Sequence, residues 1–198
     1  MSRYDGTDRY TYPDTGVLIN KPGITNADAL EAFEADATAI RMFELLENPV
    51  AGLFDVAHLR QIHRHLFQDV YEWAGEFRLV DISRGTSRFA NFLLIDGYLS
   101  KCLAHLAQEK WFAGMAPCEF ISKMAFYMGE INAVHPFREG NGRVQRLFCS
   151  QLALNAGYFI DFECVSQDQM YAAMIASFNG DLKLLENLLN EITAIVEP

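Results

Sequence analysis

The chain has 198 residues, 51% of them hydrophobic, with a net charge of −10 and an isoelectric point near 4.9. That length and apolar content suit one domain with a sizeable core, so residues 1–198 are read as a single unit. The acidity argues against a nucleic-acid or anionic-membrane surface, because such partners are held mainly by Lys and Arg neutralising phosphates.

Cys102, Cys118, Cys149 and Cys164 lie far apart, without a C-x-x-C pair, and read as free thiols in a reducing compartment. No apolar run approaches membrane length and the first residues are polar, so the expected location is cytoplasmic, with no membrane partner.

Residues 1–24 read as an extended arm with turns at Pro13, Gly16, Pro22 and Gly23. A helix follows from the capping-box-like Thr25-Asn26-Ala27-Asp28 to about Glu47, with Leu30, Phe33, Ala37, Ile40 and Leu45 as its apolar stripe. Asp55 caps a second helix, expected to run through Leu59, Ile62, Leu66 and Val70 to Trp73 and to stop at Gly75. His58, His63 and His65 fall on it. His-x-His sets two rings roughly 200° apart around a helix, so all three are read as packing or surface residues rather than metal ligands.

Residues 76–92 change character: 77–82 and 86–92 are short, rich in β-formers and separated by Ser83-Arg84-Gly85, which predicts a hairpin. It is either a small surface hairpin or a strand edge that pairs with an incoming peptide. Further helices are predicted over 93–111, over 118–134 after Pro117, from the turn near 142 to Gly157, from Ser166 to Phe178, and over 181–196, with 158–162 as a short connection. The fold class is therefore all-α with one small β-hairpin.

The informative stretch is His135-Pro136-Phe137-Arg138-Glu139-Gly140-Asn141-Gly142-Arg143-Val144-Gln145-Arg146. Pro136 disfavours helical geometry at His135, so the preceding helix should end by presenting that imidazole. Gly140 and Gly142 let the backbone approach a ligand closely, and the turn opens a helix whose N–H groups and positive dipole end attract an anion. Arg143 and Arg146 share one helix face, and Glu139 sits where a hard cation would want oxygen. With Ser150, the two arginines form the one polar stripe of a mostly apolar helix, which should line a pocket. Taken singly, each feature has a structural explanation; together they describe a site for a small phosphorylated ligand.

This run resembles the signature H-x-F-x-(D/E)-G-N-G-R-x-x-R of the Fic family, enzymes that move AMP from ATP onto a protein hydroxyl. Leu59 to His63, Trp73 to Gly75, the hairpin, and Tyr12-Pro13 through Asn20-Lys21 also resemble short stand-alone bacterial Fic proteins. The resemblance implies His135 as the base for a target Tyr, Ser or Thr hydroxyl and Phe137 as an apolar anchor of the nucleotide-binding loop. It implies Glu139 as a ligand of Mg²⁺ and Gly140, Asn141 and Gly142 as the anion hole. Arg143 would then hold the β phosphate, Arg146 the γ phosphate, and the hairpin would be a flap on which the target segment docks. Tyr171 and Asn179 are adenine-pocket candidates from family position only.

A relative of the same fold, Doc, carries Lys near Gly142 and phosphorylates instead, so glycine here favours AMP transfer. Kinase chemistry on the same scaffold and a catalytically silent binding module remain the alternatives. Many Fic proteins are inhibited by a helix bearing (S/T)-x-x-x-E-(G/N). Only Thr193-Ala-Ile-Val-Glu197 approaches it, followed by Pro198, and it reads as a chance match at the end of an ordinary helix. The resemblance therefore implies a toxin whose inhibitory helix sits on a separate small antitoxin, with Arg146 as the residue its glutamate would grip.

Overall fold

A computed structural model describes residues 9–85 and 87–196. Seven α-helices are described: α1 (Ala27–Glu47), α2 (Val56–Phe67), α3 (Ile95–Gln108), α4 (Pro117–Val134), α5 (Asn141–Asn155), α6 (Gln167–Phe178) and α7 (Lys183–Ile192). Two small antiparallel pairs complete the fold, the hairpin of β1 (Ser83–Arg84) with β2 (Ser87–Arg88), and β3 (Tyr158–Ile160) with the distant β4 (Thr193–Ile195). The mainly helical class is as expected. No described helix is long and apolar enough to cross a membrane.

The helix starts follow their capping chemistry. Asn26, Asp55 and Ser166 each accept a backbone N–H with the side chain, Ser166 in a full capping box with Gln169, and Pro117 occupies the first turn of α4. Helix α5 runs through the middle, packed on α2, α4 and β3, with Val144, Leu147, Phe148 and Leu152 buried. It is apolar on several sides because it is covered on several sides.

Several boundaries differ from expectation. Helix α2 stops at Phe67, where both Val70 and Tyr71 donate to the Phe67 carbonyl, and turns lead to Gly75 at φ 85°. The 76–92 hairpin pairs only at Ser83↔Arg88 and Arg84↔Ser87, so Ser83-Arg84 is strand and the turn begins at Gly85; Thr86 lies outside the described residues. Residues 158–162 are not a mere connection, because β3 pairs there with Thr193–Ile195. That pairing ends α7 at Ile192, four residues before the expected Val196: the β-branched Thr193, Ile195 and Val196 favour extended backbone once a partner strand is at hand. The expectation that Thr193–Glu197 closes a helix is thus corrected for 193–195, and Glu197 lies outside the described residues.

Of the 1–24 arm, residues 1–8 lie outside the described residues. The rest is docked, with Tyr10, Val17 and Leu18 buried and Lys21 N–H bonded to the Val70 carbonyl at 2.8 Å. Between α3 and α4, Lys110, Trp111 and Phe112 take φ of 52°, 50° and 66°. That left-handed turn is held by burial of Phe112 and by Trp111 Nε1 donating to the Leu53 carbonyl at 3.0 Å.

Candidate active site

Helix α4 ends on His135 in the left-handed conformation, φ 49° and ψ 64°, and Pro136 prevents the helix from continuing. The ring is fixed from two sides. Its Nδ1–H donates to the Asn132 carbonyl at 2.9 Å, which leaves the lone pair of the neutral imidazole on Nε2. Phe89, at the foot of the hairpin, stacks on it with centroids 3.9 Å apart. Burial lowers the His135 pKa to about 4, with the charges of Arg78 and Arg84 acting in the same direction and the Asn132 bond opposing.

The carbonyls that α4 leaves at its end need donors, and a buried arginine supplies them. Arg78 donates to the carbonyls of His135 at 2.8 Å, Val134 at 3.1 Å, Val80 at 2.6 Å and Ala90 at 2.5 Å, while its backbone N–H bonds the Pro136 carbonyl at 2.9 Å. One side chain thus joins both roots of the hairpin to the segment that carries the imidazole.

The loop after His135 rests on an aromatic stack. Phe137 is buried beneath it, parallel to His63 with centroids 3.9 Å apart, and His63 in turn lies on Phe67. Gly75 N–H donates to His63 Nδ1 at 2.7 Å, so the proton is on Nε2, which reaches the Glu139 carbonyl at 3.1 Å. Burial pushes the His63 pKa down to about 3 and keeps the ring neutral. His63 is the packing residue expected, and it packs under the loop itself. His58 is likewise buried against Gln151, and His65 is half-buried beside Glu44. Among the described residues no group of three or more His, Cys, Asp or Glu is arranged to hold a metal.

Gly140 enters α5 at φ 79°, and a Cβ there would stand 2.1 Å from the Phe67 ring. Asn141 spends its side chain on the loop: Oδ1 accepts from Phe137 N–H and Nδ2 donates to the Phe137 carbonyl, both at 2.8 Å. The helix therefore starts with backbone amides and dipole directed at the cavity beside it.

That cavity, about 690 Å³, is lined by His135, Glu139, Gly140, Asn141, Gly142, Arg143 and Arg146. The hairpin contributes Arg84, Ser87 and Phe89, and α6 contributes Met170, Tyr171, Met174 and Phe178. Every candidate site residue of the motif lines it except Phe137, which lies underneath as an anchor. Tyr171 and Gln145 line it; Asn179 and Ser150 do not. Glu139 is buried, with Oε1 accepting from Gly140 N–H at 2.9 Å. Arg143 reaches back toward α1, paired with Glu34 and bonded to Thr38 Oγ1 at 3.1 Å, with its Nη2 3.8 Å from Glu139 Oε1.

Sequence reasoning missed Arg78, Phe89, Asn132 and Glu34. Only Glu34 left a usable trace. The face of α1 that is buried carries Leu30, Glu34, Thr38 and Leu45, whereas Ile40, placed in the expected stripe, is 64% exposed. Two polar residues one helical turn apart on a buried face signal a polar partner.

Residues 53–153 match the model of the Fic/DOC family. The chain is 45% identical over 190 residues to the protein adenylyltransferase VbhT of Bartonella schoenbuchensis, covering 96% of this chain and 40% of that protein. It is 34% identical over 191 residues to the "Probable protein adenylyltransferase Fic" of Escherichia coli, covering 96% and 94%. Among solved structures, the N-terminal Fic domain of a VirB-translocated Bep effector protein of Bartonella quintana, with bound ADP, superposes with a TM-score of 0.88 at 31% identity over 95% of both chains. The chain spans less than half of the VbhT relative and nearly all of the Escherichia coli one. Signature, fold and kinship over almost the whole sequence agree: this chain belongs to the Fic/DOC family.

Proposed function

We propose that the chain is a protein adenylyltransferase, moving AMP from ATP to a Tyr, Ser or Thr hydroxyl of a target protein. The observation that carries this reading is the single cavity that holds a neutral imidazole, the amide-lined start of a helix and Arg146 under a hairpin. In the reaction His135 Nε2 accepts the hydroxyl proton as the target oxygen bonds the α phosphorus. The bond from that phosphorus to the bridging oxygen breaks, and pyrophosphate departs with its charge matched by the helix start and Arg146. ADP bound to the Bartonella quintana relative supports a nucleotide in this cavity.

Glu139 suits magnesium: one buried carboxylate facing the cavity is what a hard cation needs from the protein when phosphates and water supply its other oxygens. When bound, the ion neutralises phosphate charge. The short hairpin, rooted by Arg78 beside His135, suits the docking of an extended target segment.

Gly142 supports AMP transfer over the kinase alternative. A Cβ there would meet Arg146 Nη1 at 3.3 Å, so a longer side chain would crowd the arginine proposed for the γ phosphate. We also place the chain as the toxin of a toxin–antitoxin pair in the cytoplasm, with Arg146 as the grip of the antitoxin's glutamate; the free thiols of its cysteines suit a reducing compartment.

Incubation of a cell lysate with the purified chain and ATP labelled at the α or the γ phosphate tests the reaction. Label should reach protein from the α position only, and His135→Ala should abolish it. Label arriving from the γ position alone would reject the reading in favour of a kinase, and an unlabelled proteome in favour of a silent binding module.

A further inference from the structure

Helix α1 lies outside the family match at 53–153, yet two of its side chains hold Arg143, which lines the cavity. Glu34 and Thr38 are both buried. Glu34 Oε1 accepts from Arg143 Nη2, and Oε2 accepts from the buried Tyr71 hydroxyl, so each carboxylate oxygen has a donor. Thr38 gives its own proton to the Glu34 carbonyl at 2.7 Å and turns a lone pair toward Arg143 Nη1 at 3.1 Å. The guanidinium carbon sits over Phe67, 4.7 Å from the ring centre, on the same ring that abuts Gly140. Acid, hydroxyl and ring together leave Arg143 one orientation.

The direction of approach decides what this does. Arg143 lines the cavity, whereas Glu34 and Thr38 do not. The carboxylate therefore grips the guanidinium from the side away from a ligand, and holds it 3.8 Å from Glu139. A carboxylate placed in front would compete with phosphate. Placed behind, it orients the cation and keeps its long side chain from sampling other rotamers, a cost that binding would otherwise have to meet.

We propose that Glu34 is a positioning residue for the phosphate end of the site, acting through Arg143, with Thr38 as its helper. This deepens the nucleotide reading above and rests on it. It makes α1 a brace behind the site, contributed from outside the family match.

The test compares full-length wild type, Glu34→Gln and Thr38→Val by calorimetric titration with magnesium-ATP and, separately, with adenosine. Glutamine keeps the size and an acceptor but loses the charge, and valine is isosteric with threonine. Glu34→Gln should bind magnesium-ATP about tenfold more weakly with adenosine affinity unchanged, and Thr38→Val should shift the same way by less. Equal weakening of both ligands would mean a merely structural role and overturn the inference, as would unchanged or tighter magnesium-ATP binding. Should Glu34→Gln fail to fold, Thr38→Val decides by the same ratio. Wild type that binds no magnesium-ATP overturns the nucleotide reading and this inference with it; wild type that binds while both variants match it overturns this inference alone.

Discussion

Phe89 lies flat on the imidazole of His135, with ring centroids 3.9 Å apart and planes inclined by 15°. The Asn132 bond fixes the ring's spin and Phe89 fixes its face, so together they aim Nε2. Phe89→Ala should lower kcat by about 10- to 100-fold while KM for ATP changes little, since misplacement of a base is felt in the chemical step. Steady-state transfer assays check this; an unchanged kcat would show that the base is held without the stack.

The lowered pKa of His135 gives a pH signature. With a value of about 4 the imidazole stays unprotonated well below neutrality, so the transfer rate should be flat on this limb from neutral to roughly pH 5 and fall only toward 4. The sign for stability is the same. Unfolded His titrates near 6.5, so between 6.5 and 4 the unfolded chain binds more protons than the folded one. The contribution is complete above 6.5 and is lost as pH falls toward 4, and His63 extends the loss to about 3. Urea midpoints should therefore drop between pH 7 and pH 5, and less steeply in His135→Ala.

Arg78→Ala should be the most damaging single change near the site. It strands carbonyls of Val80, Ala90, Val134 and His135 without their donor. Each buried orphan costs ~1–3 kcal/mol, so a total above about 4 kcal/mol is expected. Chemical denaturation measures it. Loss of only about 1 kcal/mol would mean that water takes over the role.

Gly140→Ala meets two obstacles, a φ of 79° and the Phe67 ring 2.1 Å from the new methyl. A destabilisation of about 2–4 kcal/mol together with loss of transfer is expected. Adding Phe67→Ala should recover part of the stability, because it opens the space while the strained dihedral remains; thermal melts of the single and double variants separate the two terms.

Across the mouth of the cavity, Arg84 of β1 stands over the Tyr171 ring of α6 at 5.0 Å. Such a pair at an exposed position contributes ~0.5–1 kcal/mol. Arg84→Ala should speed nucleotide release by about 2- to 5-fold and lower the melting temperature by only about 1–4 °C, as stopped-flow displacement of a fluorescent ATP analogue and a thermal melt would show.

The sequence revealed those parts that follow from short-range rules. Helix starts at Asn26, Asp55, Pro117 and Ser166 were legible because caps act within one turn, and the motif was legible because its chemistry is contiguous. Pairings between distant segments left no such mark. Thr193–Ile195 reads as helix until Tyr158–Ile160 is beside it, and Arg78 looks like one more residue of a β-forming run until the carbonyls ending α4 surround it. Glu34 showed only as a polar residue within an apolar rhythm: of the expected stripe Leu30 and Leu45 are buried and Phe33 and Ala37 pack against the core, but Ile40 faces out and Glu34 and Thr38 share the buried face.

The anchoring of the hairpin by Arg78 also limits how that element can move. Its two roots, at Val80 and Ala90, share a guanidinium with the turn that carries the base, so a swing of the whole finger would uncap α4 and drag His135 off its aim. Under the docking role proposed for the hairpin, a target segment would then meet a rigid knuckle, and the chemistry behind that knuckle stays in register.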